Sequence, residues 1–245
     1  MVSVSVRVAA STDDAHHRLT TDWYFNTTTY LRIGYVSATD KRYRVGMRFL
    51  NITIPKGATI LTAIVTLTAR YSKSDTTVNC ILKGELVADA ATFSTSANFD
   101  GRARTVASVA WNNIGAWTAG LTYDTPSIVS IIQEIVNQAA WASGNDLVVF
   151  WDDDADTSSA SREAVSWDQD PNTAPLLVVT YIVPVVYVPW HRLKGKGGEA
   201  RSHTVFRRGL KDRVGGWLDE FSLLPRIPLC EVKAKSRKTN IRLEG

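Results

Sequence analysis

The densest run of chemistry-bearing side chains is WDDDADTSS, residues 151–159, which holds Asp152, Asp153, Asp154 and Asp156. Carboxylate oxygens at that density suit a hard cation such as Ca²⁺. Asp13, Asp14, Asp168 and Asp170 join the set if the first and last strands are neighbours. The loop lacks the Gly at position six and the Glu at position twelve of an EF-hand. A structural calcium is therefore a candidate beside a plainer account, a solvated acidic loop.

Other reactive constellations are not found. Glycoside cleavage needs two carboxylates a few ångströms apart across a cleft, and among so many aspartates no pair stands out. There is no GxSxG, and no histidine sits in a triad context. The adjacent His16 and His17 read as loop polarity rather than as metal ligands. GKGGEA at 195–200 lacks both the spacing and the ending of a phosphate-binding loop. The expectation is a non-enzymatic protein with no cofactor beyond that calcium.

Aromatic residues offer a different chemistry. Trp111, Trp117, Tyr123, Trp141, Trp151 and Trp167 are side chains that stack on sugar rings or on partner surfaces. Trp117 lies in a loop between Gly115 and Gly120 and is expected to be exposed, so a glycan platform would use Trp117 and Tyr123. Trp111 is expected to be buried.

The elements that must position these groups are mostly strands. Val2, Val4, Val6 and Val8 alternate with polar residues, and Val45, Met47 and Phe49 do the same against Arg44, Gly46 and Arg48. TYLRIGY at 29–35 is a further strand. Pro55-Lys56-Gly57 marks a turn with Pro55 at its first central position, followed by a long Thr- and Val-rich strand. TVNCILKGELV at 77–87 is the expected partner of that strand, with the turn setting register within one sheet. Residues 89–124 read as a long loop, either a binding surface or a wrapped-down cover. Ile128, Ile131, Ile132, Ile135 and Val136 recur at helical spacing and predict one helix over about 126–142, with Thr125 as its N-cap and Gly144 as its stop. The apolar runs at 146–151 and 175–183 are expected to be buried central strands, with a short strand near 163–167 between them. Many strands with one helix predict an all-β sandwich.

Composition sets the outer bounds. With 245 residues, 44% hydrophobic and 21% charged, the chain can bury a substantial core. Cys80 and Cys230 form no metal spacing and read as isolated thiols, with a disulfide between them the less favoured alternative. The N-terminal residues lack the basic and apolar regions of an export signal, and no apolar run approaches a membrane-spanning length. Charge divides sharply. Residues 1–183 carry 14 Lys and Arg against 18 Asp and Glu, a balance of −4, and residues 184–245 carry 14 against 6, a balance of +8. The second segment, rich in Pro, Gly and basic residues, is expected to be an extended docking arm. Its apolar side chains are too many for a plain nucleic-acid tail, so Trp190, Phe206, Trp217 and Phe221, with Arg207 and Arg208, are assigned to binding a partner protein.

Four segments of residues 1–183 resemble the DNRLRE-type domain, a jelly-roll β-sandwich related to carbohydrate-binding modules. RVGMRFLNITIPKGATILTAIVTLTA resembles its strand, turn and following strand. VASVAWNN resembles its central tryptophan segment, SIVSIIQEIVNQAAWASGNDLVVF its helix, turn and strand, and SREAVSWDQDPNTAPLLVVTY its closing strand. The resemblance implies a jelly-roll-like sandwich over 1–183, with Trp141 as core packing at the helix end. A sandwich without the export signal and neighbouring modules of that family, followed by a basic arm, is similar to virion components. The expectation is a bacteriophage capsid-decoration or tail protein, located in the virion, whose partners are other virion proteins and copies of itself. A carbohydrate-binding module for host or surface glycan is the alternative. Nucleic acid is the less favoured partner, and no membrane association is expected.

Overall fold

The computed structural model describes residues 1–19, 23–36, 41–74, 78–154 and 159–183, and beyond these the backbone of four short strands. The chain divides into two units, Met1–Val183 and Pro184–Gly245. The first unit is an all-β sandwich. Its elements are β1 (Val2–Arg7), β2 (Asp14–Arg18), β3 (Trp23–Phe25), β4 (Tyr30–Val36), β5 (Lys41–Ile52), β6 (Thr59–Thr68), β7 (Val78–Glu85), α1 (Ser96–Asp100), β8 (Arg104–Ile114), β9 (Thr122–Asp124), α2 (Val129–Val136), β10 (Asn145–Asp153), β11 (Ser161–Val165) and β12 (Leu176–Ile182). One sheet has four strands, in the order β1-β12-β6-β9. The other has eight: the path β11-β4-β5-β10-β7-β8, with β2 paired to β5 and β3 to β2. Every ladder is antiparallel, and the chain passes between the sheets at β1–β2, β5–β6–β7, β8–β9–β10 and β11–β12, a jelly-roll-like traffic.

The turn after β5 explains one of those crossings. The amide of Ala58 donates to the carbonyl of Pro55, and Gly57 has φ +76°. A positive φ at the third residue is the type II requirement, which glycine meets without steric cost. Pro55 is thus the first residue of the turn, not its first central one. The expected hairpin is also corrected. β5 pairs with β4, β10 and β2, whereas β6 pairs with β12 and β9, so the turn carries the chain from one sheet to the other. The expected partner of β6, the strand β7, pairs instead with β10 and β8. A reversal at a turn is common to both arrangements, and period-two patterning does not distinguish them.

Between the sheets lies the main core, with Val45, Met47, Phe49, Val65, Leu67 and Val179 wholly or nearly wholly buried. A second, smaller core lies on the outer face of the eight-stranded sheet, where Phe93 and Phe99 cover Ala15, Val148 and Phe150. Central strand β10 serves both: Leu147, Val149 and Trp151 face the main core, and Val148 and Phe150 the second. Its unbroken apolar run follows from burial on two faces. Strand β12 is central too, but only Leu177, Val179 and Tyr181 are buried.

Helix α2 buries Ile131, Ile132, Ile135 and Val136 completely, each burial stabilising by roughly 1.5–3 kcal/mol. It packs against β6 of one sheet and β7 and β8 of the other, bridging their margins. Gly84 makes room for it: a Cβ there would lie 2.6 Å from Ile135 and 2.8 Å from Ile131. The helix is shorter than the expected 126–142. Thr125 is not its cap, because the Thr125 hydroxyl accepts from the Val65 amide at 3.0 Å and ties the entering chain to β6.

In the second unit, β13 (Val186–Tyr187) pairs with β16 (Val205–Phe206), and β14 (His191–Gly195) with β15 (Gly198–Ser202), both antiparallel. Among the described residues no helix is long and apolar enough to cross a membrane.

Candidate functional site

The aromatic residues of the sequence come together, but not as a surface. Trp117 is 2% exposed. Its ring stacks on Tyr123 at 4.9 Å and on Trp151 at 5.9 Å, and Trp111 completes the cluster, 5.8 Å from Trp151 and 6.3 Å from Trp117. The expectation that Trp117 is exposed is therefore corrected. Its loop is tied down: the Trp117 amide and carbonyl bond Lys73 at 2.8 Å each, and the buried Arg162 donates to the carbonyls of Ile114 and Gly115 at 2.9 Å. The half-buried residues are Trp111 and Tyr123, which with Asn113 and Asp124 line a cleft of about 210 Å³ between edge strands β8 and β9. Trp141 is core, with its indole donating to the Ile54 carbonyl at 2.9 Å. Cys80 is a free, buried thiol that receives the Trp151 indole N–H at 2.6 Å, and burial pushes its pKa well up.

The acidic residues are matched with arginines. Asp152 pairs with Arg104 at 3.2 Å and lies 3.9 Å from Arg44, and Asp153 pairs with Arg42 at 2.9 Å. Asp156 lies outside the described residues. The first and last strands are indeed neighbours, since β1 pairs with β12. Asp13 nevertheless pairs with Arg48 at 2.6 Å, and Asp170 accepts from the Asn172 amide of its own turn at 2.9 Å. Among the described residues no group of three or more His, Cys, Asp or Glu is placed to hold a metal ion.

The His16-His17 pair lies in β2, all of whose residues are buried, rather than in a loop. His16 stacks on Tyr30 at 4.9 Å and places Nδ1 3.0 Å from the Tyr30 carbonyl, while its Nε2 has no partner. Burial lowers its pKa to about 4. Two residues earlier, Asp14 accepts from the Trp167 amide at 2.8 Å. Burial raises its pKa to about 8, and the charges of Asp168 and Asp13 add to that.

Residues 86–103 are the cover foreseen as one of two options for this excursion, and a single arginine pins them. Arg102 donates to Glu85 at 2.7 Å, to the carbonyls of Ala91 and Thr92 at 2.8 and 2.7 Å, and to Asn98 at 2.9 Å, with its guanidinium over the Phe93 ring. A shallow groove of about 410 Å³ runs beside it. The rest of the excursion is not loop, because β8 and β9 lie within it. Nothing in residue type marked Arg102, Arg48 or Arg162 as loop clamps, since their partners are mostly backbone carbonyls and distant carboxylates. Of the partner-binding residues, Trp190, Arg207, Arg208, Trp217 and Phe221 lie outside the described residues, and Phe206 is described in backbone only.

Comparison with known proteins adds little. No family model matches the chain, and no curated protein does. The resemblance to the DNRLRE-type domain thus rests on the four quoted segments. A chain from a solved structure of Desmodium yellow mottle tymovirus is similar at 10% identity with a TM-score of 0.23, over 74% of this chain and 87% of that one. At that score the likeness carries no argument about function.

Proposed function

We propose that this chain is a non-enzymatic structural component of a virion, a capsid decoration or tail protein, joined to neighbouring subunits through residues 184–245. The charge partition carries the reading: −4 over residues 1–183 against +8 over residues 184–245. A chain with complementary segments can link head to tail, the basic segment of one copy on the acidic sandwich of the next. Heterologous contacts of that kind close into rings or extend as tubes and shells. Trp190, Phe206, Trp217 and Phe221 supply apolar anchors between the charges. Charge steers encounter, and buried aromatics slow release. Two double variants test this by particle incorporation. Trp217→Ala with Phe221→Ala should lower it most, and Arg207→Gln with Arg208→Gln should lower it less. If the arginine pair alone abolishes association, and binding falls steeply with salt, a phosphate-tracking segment replaces this account.

A carbohydrate-binding module is the second reading, and the cleft between β8 and β9 favours it. Trp111 and Tyr123 offer partly exposed rings, and Asn113 and Asp124 offer polar groups beside them. Glycan binding by the parent that Trp111→Ala removes would support this reading.

A further inference from the structure

Within the unit Met1–Val183 no other described element covers the outer face of the four-stranded sheet, and that face carries little charge. The sheet's inward residues, among them Val4, Val65, Leu177 and Val179, are buried. Its outward residues form rows across the sheet: Ser3, Thr180 and Thr62 in one, and Ser5, Val178 and Ile64 in the next. Leu61 and Ile182 add apolar surface at one end, at 38% and 43% exposure. The hydroxyls of Thr62 and Thr180 satisfy each other at 2.6 Å, so this row presents paired rather than open hydrogen-bonding groups. Charge enters in one row only. Arg7, Leu176, Thr66 and Asp124 lie in register, with the cation on edge strand β1 and the anion on edge strand β9. Arg7 donates one bond to the Ala174 carbonyl and Asp124 accepts one from the Thr66 hydroxyl, which leaves each with further hydrogen-bonding capacity.

That row has a geometric consequence. If two copies meet face to face about a twofold axis parallel to the strands, β1 of one lies over β9 of the other. Arg7 then meets the Asp124 of the second copy, and the contact occurs twice. An axis running across the strands instead sets β1 over β1 and makes neither pair. Facing sheets pack about 10 Å apart, a gap that an arginine and an aspartate side chain together bridge. We propose that the outer face of the four-stranded sheet is an isologous docking surface for a second copy of this chain, with its register set by Arg7 and Asp124. The strands have 6, 7, 10 and 3 residues. At ~3.3 Å rise and ~4.8 Å spacing they cover about 400 Å² per copy. Two copies thus cover about 800 Å² in projection, before side-chain relief is added, below the ~1,200 Å² of a stable specific interface and in the range of weak, transient contacts. The contact is accordingly a weak one, with micromolar dissociation. It does not rest on the virion reading and differs from the head-to-tail contact proposed above.

The test is sedimentation equilibrium of the full chain over a range of concentrations up to about 100 μM, a range in which a micromolar dimer forms. The parent should show a monomer–dimer equilibrium. Val178→Lys sets a charge at the centre of the face and should leave the chain monomeric with unchanged thermal melting. Arg7→Glu and Asp124→Arg should each weaken the dimer about tenfold or more, because each creates two like-charge contacts. The combined Arg7→Glu, Asp124→Arg chain should recover parental affinity to within about threefold. A parent that stays monomeric overturns the proposal, as does association indifferent to Val178→Lys. Charge variants without effect, or a double variant as weak as the singles, overturn it equally. Particle incorporation is measured separately, so failure of the dimer and failure of the virion reading are told apart.

Discussion

The two sheets of the sandwich treat their outer faces in opposite ways. The eight-stranded sheet hides its outer face beneath residues 86–103, with Phe93 and Phe99 over Val148 and Phe150 and with Arg102 clamping the loop. At the edge of that cover lies a lattice of paired charges, Arg44 with the partly exposed Asp100 and Arg104 with the buried Asp152. The four-stranded sheet has no such cover among the described residues of Met1–Val183 and shows Val178, Ile64 and paired threonines. One chain thus uses the same alternation twice. On one side a second core is completed from within, and on the other an apolar, hydroxyl-lined face is left for another molecule. Scattered surface hydrophobics need no explanation, and the low-charge sheet face is the one proposed above to dock a second copy.

Removing the cover from within should cost most. Phe99→Ala deletes a fully buried ring from the second core. The expected loss is about 3–5 kcal/mol in urea unfolding. A loss below about 1 kcal/mol would mean that the cover is ornamental and that the two faces do not differ as described.

The next effect is one of pH, and it belongs to the eight-stranded sheet, whose β2 buries both Asp14 and His16. Asp14 has its folded pKa raised from 3.8 to about 8, so its contribution is full below about pH 4 and is lost as pH rises towards 8. His16 has its folded pKa lowered from 6.5 to about 4, so its contribution is full above pH 6.5 and is lost as pH falls towards 4. The two oppose each other between about pH 4 and 6.5, and above that only Asp14 acts. The parent should therefore lose stability from pH 6.5 to 8.5, by about 2 kcal/mol or more. Asp14→Asn should be flat over that range and should gain stability as pH rises from 4 to 6.5. A parental melting curve that does not move above pH 6.5 would show that Asp14 is ionised in the fold.

The smallest effects compare like with like. Val148 and Val178 are both outer-face valines on central strands, one fully buried and the other half-buried. Val148→Thr places a hydroxyl in the second core and should cost about 1–3 kcal/mol. Val178→Thr should change stability of the dilute monomer by less than about 0.5 kcal/mol. Equal losses at both sites in thermal melts would mean that the four-stranded sheet is covered after all.

Much of this architecture was written locally in the amino-acid order. Period-two runs located β1, β5 and β6, because a half-buried strand must alternate, and an unbroken apolar run located β10, because a strand buried on both faces does not. The isoleucine spacing located α2, because one stripe of a helix must meet the core. The charge division at residue 183 is composition alone. Tertiary structure decided the rest. The Pro55–Ala58 turn reverses the chain equally well within a sheet or between sheets, and only the competing partners β10 and β12 settled which. His16 and His17 look like loop polarity until β2 is seen to lie against β5, where burial outweighs their hydration. Trp117 sits in a glycine-flanked loop that reads as exposed, yet its amide and carbonyl bond Lys73 and its ring fills the space beside Trp151. The acidic run reads as a line of bare carboxylates, and only the fold shows arginines from β5 and β8 reaching Asp152 and Asp153 across the sheet. Local order specifies periodicity, turns and net charge, because those depend on near neighbours. Which strands pair, which faces are covered and which charges meet depend on residues as far as 179 positions apart, as with Val2 and Tyr181, and folding alone brings them together.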